Sequence, residues 1–391
     1  MRIARAAVVA VIVAGLAASS VTAASRSTNL LTGINDEAFT LYGDPSSAFE
    51  TLTTLRAHVL RVNLYWGGNR WAVANSKPTN AADPGDPAYN WSLYDRLTRY
   101  ASSSGIKVLL SIVGTPRWAN HGLTMNHAPT SSTALQQFAA AAAKRYSGTY
   151  VPPLAQADTT LAPADAPLPA VKMWTAWNEP NNPVFLTPQY KRVSGAWRVE
   201  SAYQYARICN AIYAGIHTVS GEKVACGVTD PRGNDNAGSS RASVDPLSFL
   251  IAAHRYGMKR FDAYAHNPYA SAGNESPRYV PKGKDARRIQ LGNIGVLLSL
   301  ISKYYGPKHL WITEYGYQTP PDHTILSTSL AKQATYLKQA YAIARANPRI
   351  DMMLWFLVRD QPQISGWQSG LETVNDVKKP AWTVFQNLPH S

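Results

Sequence analysis

Short apolar, β-branched runs recur along the chain at 29–35, 58–66, 106–114, 170–178, 223–230, 261–269, 309–317 and 351–358. Each is too short for a helix and reads as a strand. Between them lie stretches whose apolar residues recur at helical spacing. These are "SSAFETLTTLRAH", "NWSLYDRLTRYASSSG", "TALQQFAAAAAKRYSG", "ESAYQYARICNAIYAGIHTVSG", "DPLSFLIAAHRYG", "ARRIQLGNIGVLLSLISKYYG", "LAKQATYLKQAYAIARANP" and a short last one at "PAWTVFQNL". Several stop on glycine, a helix-ending signal. Eight strands, each followed by a helix, predict a single-domain (β/α)8 TIM barrel. The strands are nearly continuous in apolar residues, as parallel strands covered by helices must be. The rival is a doubly wound open sheet. No glycine-rich phosphate loop follows the first strand, which weakens it.

Residues 1–24 stand outside this pattern. Arg2 and Arg5, an apolar run from Ala6 to Ala18, and the small-residue site "VTA" predict a secretory signal peptide. The barrel then occupies 25–391, with a Pro/Ala-rich surface insertion near 147–170 on the face away from the chemistry. The expectation is a secreted, extracellular protein with no membrane association after cleavage. Two cysteines, Cys209 and Cys226, are too few for a disulfide scaffold. They either pair or serve as small core residues. The formal charge is +14. The basic residues are scattered in pairs at most, which argues for a solvated surface and against nucleic-acid binding.

In such a barrel the chemistry stands where strands end. Only eight glutamates occur, and two of them, Glu179 in "TAWNEPN" and Glu314 in "ITEYGY", close apolar runs. They end the fourth and seventh strands, which face each other across the barrel mouth. Pro180 stops the strand behind Glu179, because proline cannot donate to a ladder. Two converging carboxyls are the equipment for hydrolysing a glycosidic bond. One gives a proton to the leaving oxygen while the other stays ionised. Asn35, Arg61, Trp118, Asn178, His266, Tyr269 and Trp355 stand at or near the other strand ends. Trp66, Trp71, Trp118, Trp177, Trp355 and Trp367 cluster there too, and apolar ring faces suit sugar rings. Trp355 is the favoured platform. Arg61, flanked by apolar residues, needs an anionic partner. The candidates are Glu314, whose charge the pairing would maintain, and Asp36 or Asp262. No HExxH, CxxC or GxSxG pattern occurs, so no metal, cofactor or serine-nucleophile chemistry is marked.

"WNEPN" (177–181) and "ITEYGY" (312–317) resemble the acid/base and nucleophile motifs of clan A glycoside hydrolases. The first, followed by "FLTPQ", is most similar to family 39, with family 5 close behind. The resemblance implies a retaining enzyme. Glu179 would be the acid/base, Glu314 the nucleophile, and Asn178 the residue holding the sugar 2-hydroxyl. Arg61 matches an arginine often carried on strand two. His266 and Tyr269 match a histidine and a tyrosine on strand six. The spacing His-Asn-Pro-Tyr departs from the usual tighter one and leaves open whether His266 or Asn267 faces the substrate. The expectation is therefore a retaining β-glycosidase acting on an oligo- or polysaccharide, without cofactor. Its alternatives are a non-catalytic carbohydrate-binding barrel and a transglycosylase.

Overall fold

The computed structural model describes residues 29–389. The segment read as a signal peptide lies outside the described residues. Eight parallel strands close into a barrel. They are β1 (Leu31–Asn35), β2 (Val59–Tyr65), β3 (Lys107–Val113), β4 (Met173–Ala176), β7 (Lys223–Thr229), β8 (Ala263–His266), β9 (His309–Tyr315) and β10 (Ile350–Phe356). Pairing of β1 with β10 closes the ring. The two remaining strands, β5 (Tyr190–Val193) and β6 (Ala196–Val199), form an antiparallel hairpin between β4 and the next helix. All eight apolar runs are barrel strands.

Helices α2 (Pro45–Thr54), α3 (Ser92–Ser103), α4 (Ser132–Arg145), α5 (Glu200–Ile216), α6 (Pro246–Arg255), α7 (Ile294–Tyr305), α8 (Leu330–Arg345) and α9 (Pro380–Gln386) cover the outside, after a single turn α1 (Glu37–Thr40). Their starts follow local chemistry. Asp44 and Asp245 cap α2 and α6 ahead of a first-turn proline, and Ser329 caps α8. The stretch expected to be helical from 286 begins its α-helix only at Ile294. Gln290 and Asn293 form a capping box there.

Strand alternation divides the side chains into two sets. The outer set, such as Leu60, Val62, Leu110, Ile112 and Trp174, packs under the helices in the main apolar core. The inner set fills the barrel in layers. Val59, Leu109, Met173, Ala225, Trp311 and Met352 make an apolar floor. Two residues further along β2, β3, β4 and β9 the layer becomes polar, with Arg61, Ser111, Thr175 and Thr313 all buried. That polar layer carries the site.

Residues 147–170 connect α4 to β4. Arg145 donates to Gln156 Oε1 at 2.9 Å and Arg99 to the Ala166 carbonyl at 3.2 Å. Cys209 on α5 and Cys226 on β7 are joined in a disulfide. Among the described residues no helix is long and apolar enough to cross a membrane.

Candidate active site

A cavity of about 530 Å³ opens at the carboxyl ends of the strands, lined among others by Asn35, Asn178, Glu179, Tyr269 and Glu314. The chain reaches it from β4 through strained backbone. Trp177 has φ 68° and Glu179 has φ 37°, both in the left-handed region that non-glycine residues avoid. Val228, at the irregular end of β7, has φ 49°. Each such residue costs on the order of 1–3 kcal/mol and persists only when its surroundings fix it. Here they do. The Glu179 N–H donates to the Val228 carbonyl at 2.8 Å, and the Trp177 N–H to the Ile112 carbonyl at 2.9 Å. Strain concentrated at two adjoining strand ends thus turns Glu179 into the cavity.

The two glutamates sit in different surroundings. Glu179 is buried and, among the described residues, accepts only from a neutral amide donor, Asn267 Nδ2 at 3.0 Å. Burial, then the nearby carboxyls of Asp230 and Glu314, push its pKa well above the ordinary value. Glu314 instead forms an ion pair with Arg61, Nη1 to Oε1 at 2.5 Å, and accepts from the Tyr269 hydroxyl at 3.1 Å. Arg61 is locked from every side. Its Nε donates to Ser111 Oγ at 2.8 Å and its Nη2 to Asn178 Oδ1 at 2.9 Å. Asn35 accepts from Nη1 at 3.0 Å. Of the partners weighed for Arg61, Asp36 instead caps α1, and Asp262 pairs with His217. Arg61 does not line the cavity. It lies beneath it and positions Glu314, Asn178 and Asn35, so the expectation that it touches substrate is corrected.

Three further expectations are corrected, two of them by strand parity. His266 is fully buried on the outer face of β8. Its Nε2 faces the Ile289 carbonyl at 2.9 Å, so that nitrogen carries the proton and Nδ1 accepts from Thr229 Oγ1 at 2.7 Å. Burial lowers its pKa to about 4, so it stays neutral. Asn267, one residue on, takes the inward place, its amide oriented by Thr313 Oγ1 at 2.7 Å. Trp355 is likewise buried on the outer face of β10, its indole N–H held by the Ser369 carbonyl at 2.9 Å. The aromatic wall is made instead by Phe356 and Trp367, whose rings meet edge to face at 5.3 Å, with Tyr269 5.4 Å from Trp367. Trp118 packs on Trp66 and donates to the Ala74 carbonyl, away from the cavity.

Sequence reasoning missed Asn181, although it closes the "WNEPN" motif. It is fully buried and donates to the carbonyls of Asp230 (3.0 Å) and Val244 (2.9 Å), while accepting from the Asp230 N–H (2.8 Å). It ties the loop after β4 to the loop after β7. Glu37 also lines the cavity. It accepts from the Asn63 N–H at 2.8 Å and the Tyr65 hydroxyl at 3.2 Å. Burial raises its pKa to about 7. Its only signal in the sequence was its position beside Asp36 at the end of strand one.

Residues 239–391 match a family described as a family of unknown function (DUF5722). The match includes Glu314 and leaves out Glu179. No curated protein matches the chain. Solved structures do resemble it. A family 39 glycoside hydrolase from Bacteroides cellulosilyticus WH2 superposes with a TM-score of 0.59 at 16% identity, over 92% of this chain and 63% of its own. A glucosidase from Croceicoccus marinus gives 0.61 at 14% identity, over 93% and 67%. A GH5_18 protein from Streptomyces cattleya, solved in complex with GlcNAc, gives 0.55 at 14% identity, over 93% and 80%. The chain thus spans just under two thirds of the length of that family 39 enzyme. The barrel is the fold shared by these clan A glycoside hydrolases, as the two glutamate motifs led us to expect.

Proposed function

We propose that the protein is an exported retaining β-glycosidase, with Glu179 as acid/base and Glu314 as nucleophile. The observation that carries this reading is the contrast between two carboxyls in one cavity. Glu179 is desolvated and keeps its proton to higher pH. Glu314 is held in an ion pair below the same space. That split is what a proton donor and a nucleophile require.

In the first step a Glu314 oxygen bonds to the anomeric carbon as the glycosidic C–O bond breaks. The Glu179 proton passes to the leaving oxygen. In the second step Glu179, now a carboxylate, takes a proton from water. The hydroxide oxygen bonds to the anomeric carbon and Glu314 is released. Two inversions give net retention. Asn178, fixed by Arg61, is placed to hold the 2-hydroxyl of the sugar at the cleaved bond. Phe356 and Trp367 offer it an apolar face. The basic, apolar start of the chain supports export.

The test is intact mass and peptide mapping after incubation with 2-deoxy-2-fluoro aryl glycosides. These let the first step proceed and slow the second. A single adduct on Glu314 is the expected outcome. Glu314→Ala should abolish turnover. Glu179→Ala should slow poor leaving groups by about 10²–10⁴-fold while sparing activated aryl glycosides, with azide restoring part of the rate. Wild-type rates in both variants on a true substrate would sink the assignment.

A further inference from the structure

Beside the catalytic cavity, on the side of the loop that carries Glu179, lies a second chamber of about 310 Å³. Asn182, Asp230 and Arg232 line both spaces, so the two adjoin. The new chamber adds Arg241 and Arg288. Arg288 is held by Asp285 at 2.8 Å. The other two guanidiniums have no such partner. Among the described residues, neither Arg232 nor Arg241 makes a side-chain hydrogen bond or ion pair. Asp230 and the Arg232 charge attract one another. Both oxygens of Asp230 are already engaged, by the Arg232 N–H at 2.7 Å and Asn182 Nδ2 at 2.9 Å.

The wall bearing these arginines is built rather than loose. Asn181 clamps the main chain on both sides of Asp230 and reaches the Arg232 carbonyl at 3.3 Å. Asn234 accepts from the Ser243 N–H at 3.1 Å and donates to the Arg241 carbonyl at 3.0 Å. Gly233 packs so tightly on the segment before α6 that an added Cβ would stand 2.1 Å from the Asp245 nitrogen. The two guanidiniums are therefore carried on fixed backbone at the edge of the cleft.

Among the residues lining the catalytic cavity, Arg232 is the one cation, beside the acidic Asp36, Glu37, Glu179, Asp230 and Glu314. A negative group in the chamber meets two guanidiniums without a side-chain partner. Asn182, three residues past the acid Glu179 and hydrogen-bonded to Asp230 at 2.9 Å, lines both spaces, so the chamber adjoins the acid. The group beyond a proton donor is the one that leaves.

We infer that the chamber binds the leaving-group side of a glycan carrying a carboxylate substituent, while the sugar at the cleaved bond is neutral. This inference rests on the glycosidase reading above. Charge-assisted guanidinium–carboxylate bonds are about twice as strong as neutral ones, so loss of one is expected to cost about tenfold in kcat/KM.

The experiment compares acidic polysaccharides, such as glucuronoxylan and pectic polymers, with the same polymers after carboxyl reduction. Release of reducing ends is followed at low and high salt with wild type, Arg232→Ala/Arg241→Ala and Arg241→Glu. Both arginines are exposed, so the variants should fold. The expected result is a preference of about tenfold or more for an acidic form, lost in the double variant, reversed or abolished by Arg241→Glu and weakened by salt. Equal cleavage of the acidic and neutral forms, or a preference that survives the arginine variants, overturns the inference and leaves the glycosidase standing. If no polymer is cleaved and no fluoroglycoside adduct forms, both fall together.

Discussion

Glu179 and Glu314 carry the same functional group and differ in what surrounds it. Among the described residues the Asn267 amide is the one hydrogen-bond donor that favours the charged form of Glu179. Asn267→Ala should therefore raise the Glu179 pKa further. The general acid then holds its proton to higher pH, and the basic limb of kcat/KM moves upward. An unmoved limb would detach Asn267 from the acid. Glu37 gives a stability prediction with a definite sign. Its folded pKa of about 7 lies above the ordinary glutamate value of 4.5. Between those values the folded chain binds more protons than the unfolded one, so this contribution falls as pH rises. Glu37→Gln should gain stability relative to wild type on going from pH 5 to pH 8, measured by urea denaturation at each pH. At this scale the sequence was informative wherever residue type and strand end coincided, as for Glu179, Glu314, Asn178 and Tyr269. It misled at Trp355 and His266, where one step along a strand exchanges the inner face for the outer.

The elements that matter most are two loops. The one after β4 carries Glu179 through left-handed backbone, and the one after β7 receives its N–H through the Val228 carbonyl. Asn181 joins them. Asn181→Ala would leave several buried backbone groups unpaired, and should cost about 3 kcal/mol of stability. The loss of kcat/KM should exceed the loss seen when a surface asparagine is replaced. Arg61 does the equivalent work across β2, β3, β4 and β9. Arg61→Met strands the Glu314 charge in a buried site, at about 3–5 kcal/mol. Turnover should fall with it, and a variant of wild-type stability would contradict the network. The β5–β6 hairpin lacked any apolar alternation to announce it. Its residues are largely exposed, with Lys191, Arg192 and Trp197 facing solvent, so burial wrote no pattern into it.

Over the whole molecule, the eight-fold repeat of apolar strand and amphipathic helix dictated the barrel. Every strand there is buried on both faces, and only long apolar runs meet that demand. The disulfide between α5 and β7 was undecided by two isolated cysteines. Their 17-residue separation closes a loop whose release should cost about 3 kcal/mol. Cys209→Ala/Cys226→Ala should show that loss in urea denaturation, and an unchanged midpoint would make the bond dispensable. What the sequence determined by itself was local or periodic: strand and helix order, and the two glutamates at strand ends. Hydrophobic spacing and turn chemistry act within a few residues, so they are legible along the chain. What only the tertiary structure decided was convergence. Asn267 rather than His266 reaches Glu179, Phe356 and Trp367 rather than Trp355 line the cavity, and Asn181 and Arg61 unite segments 49 to 253 residues apart. Those contacts depend on strand stagger and pleat direction around a closed ring, and these exist only once the ring has closed.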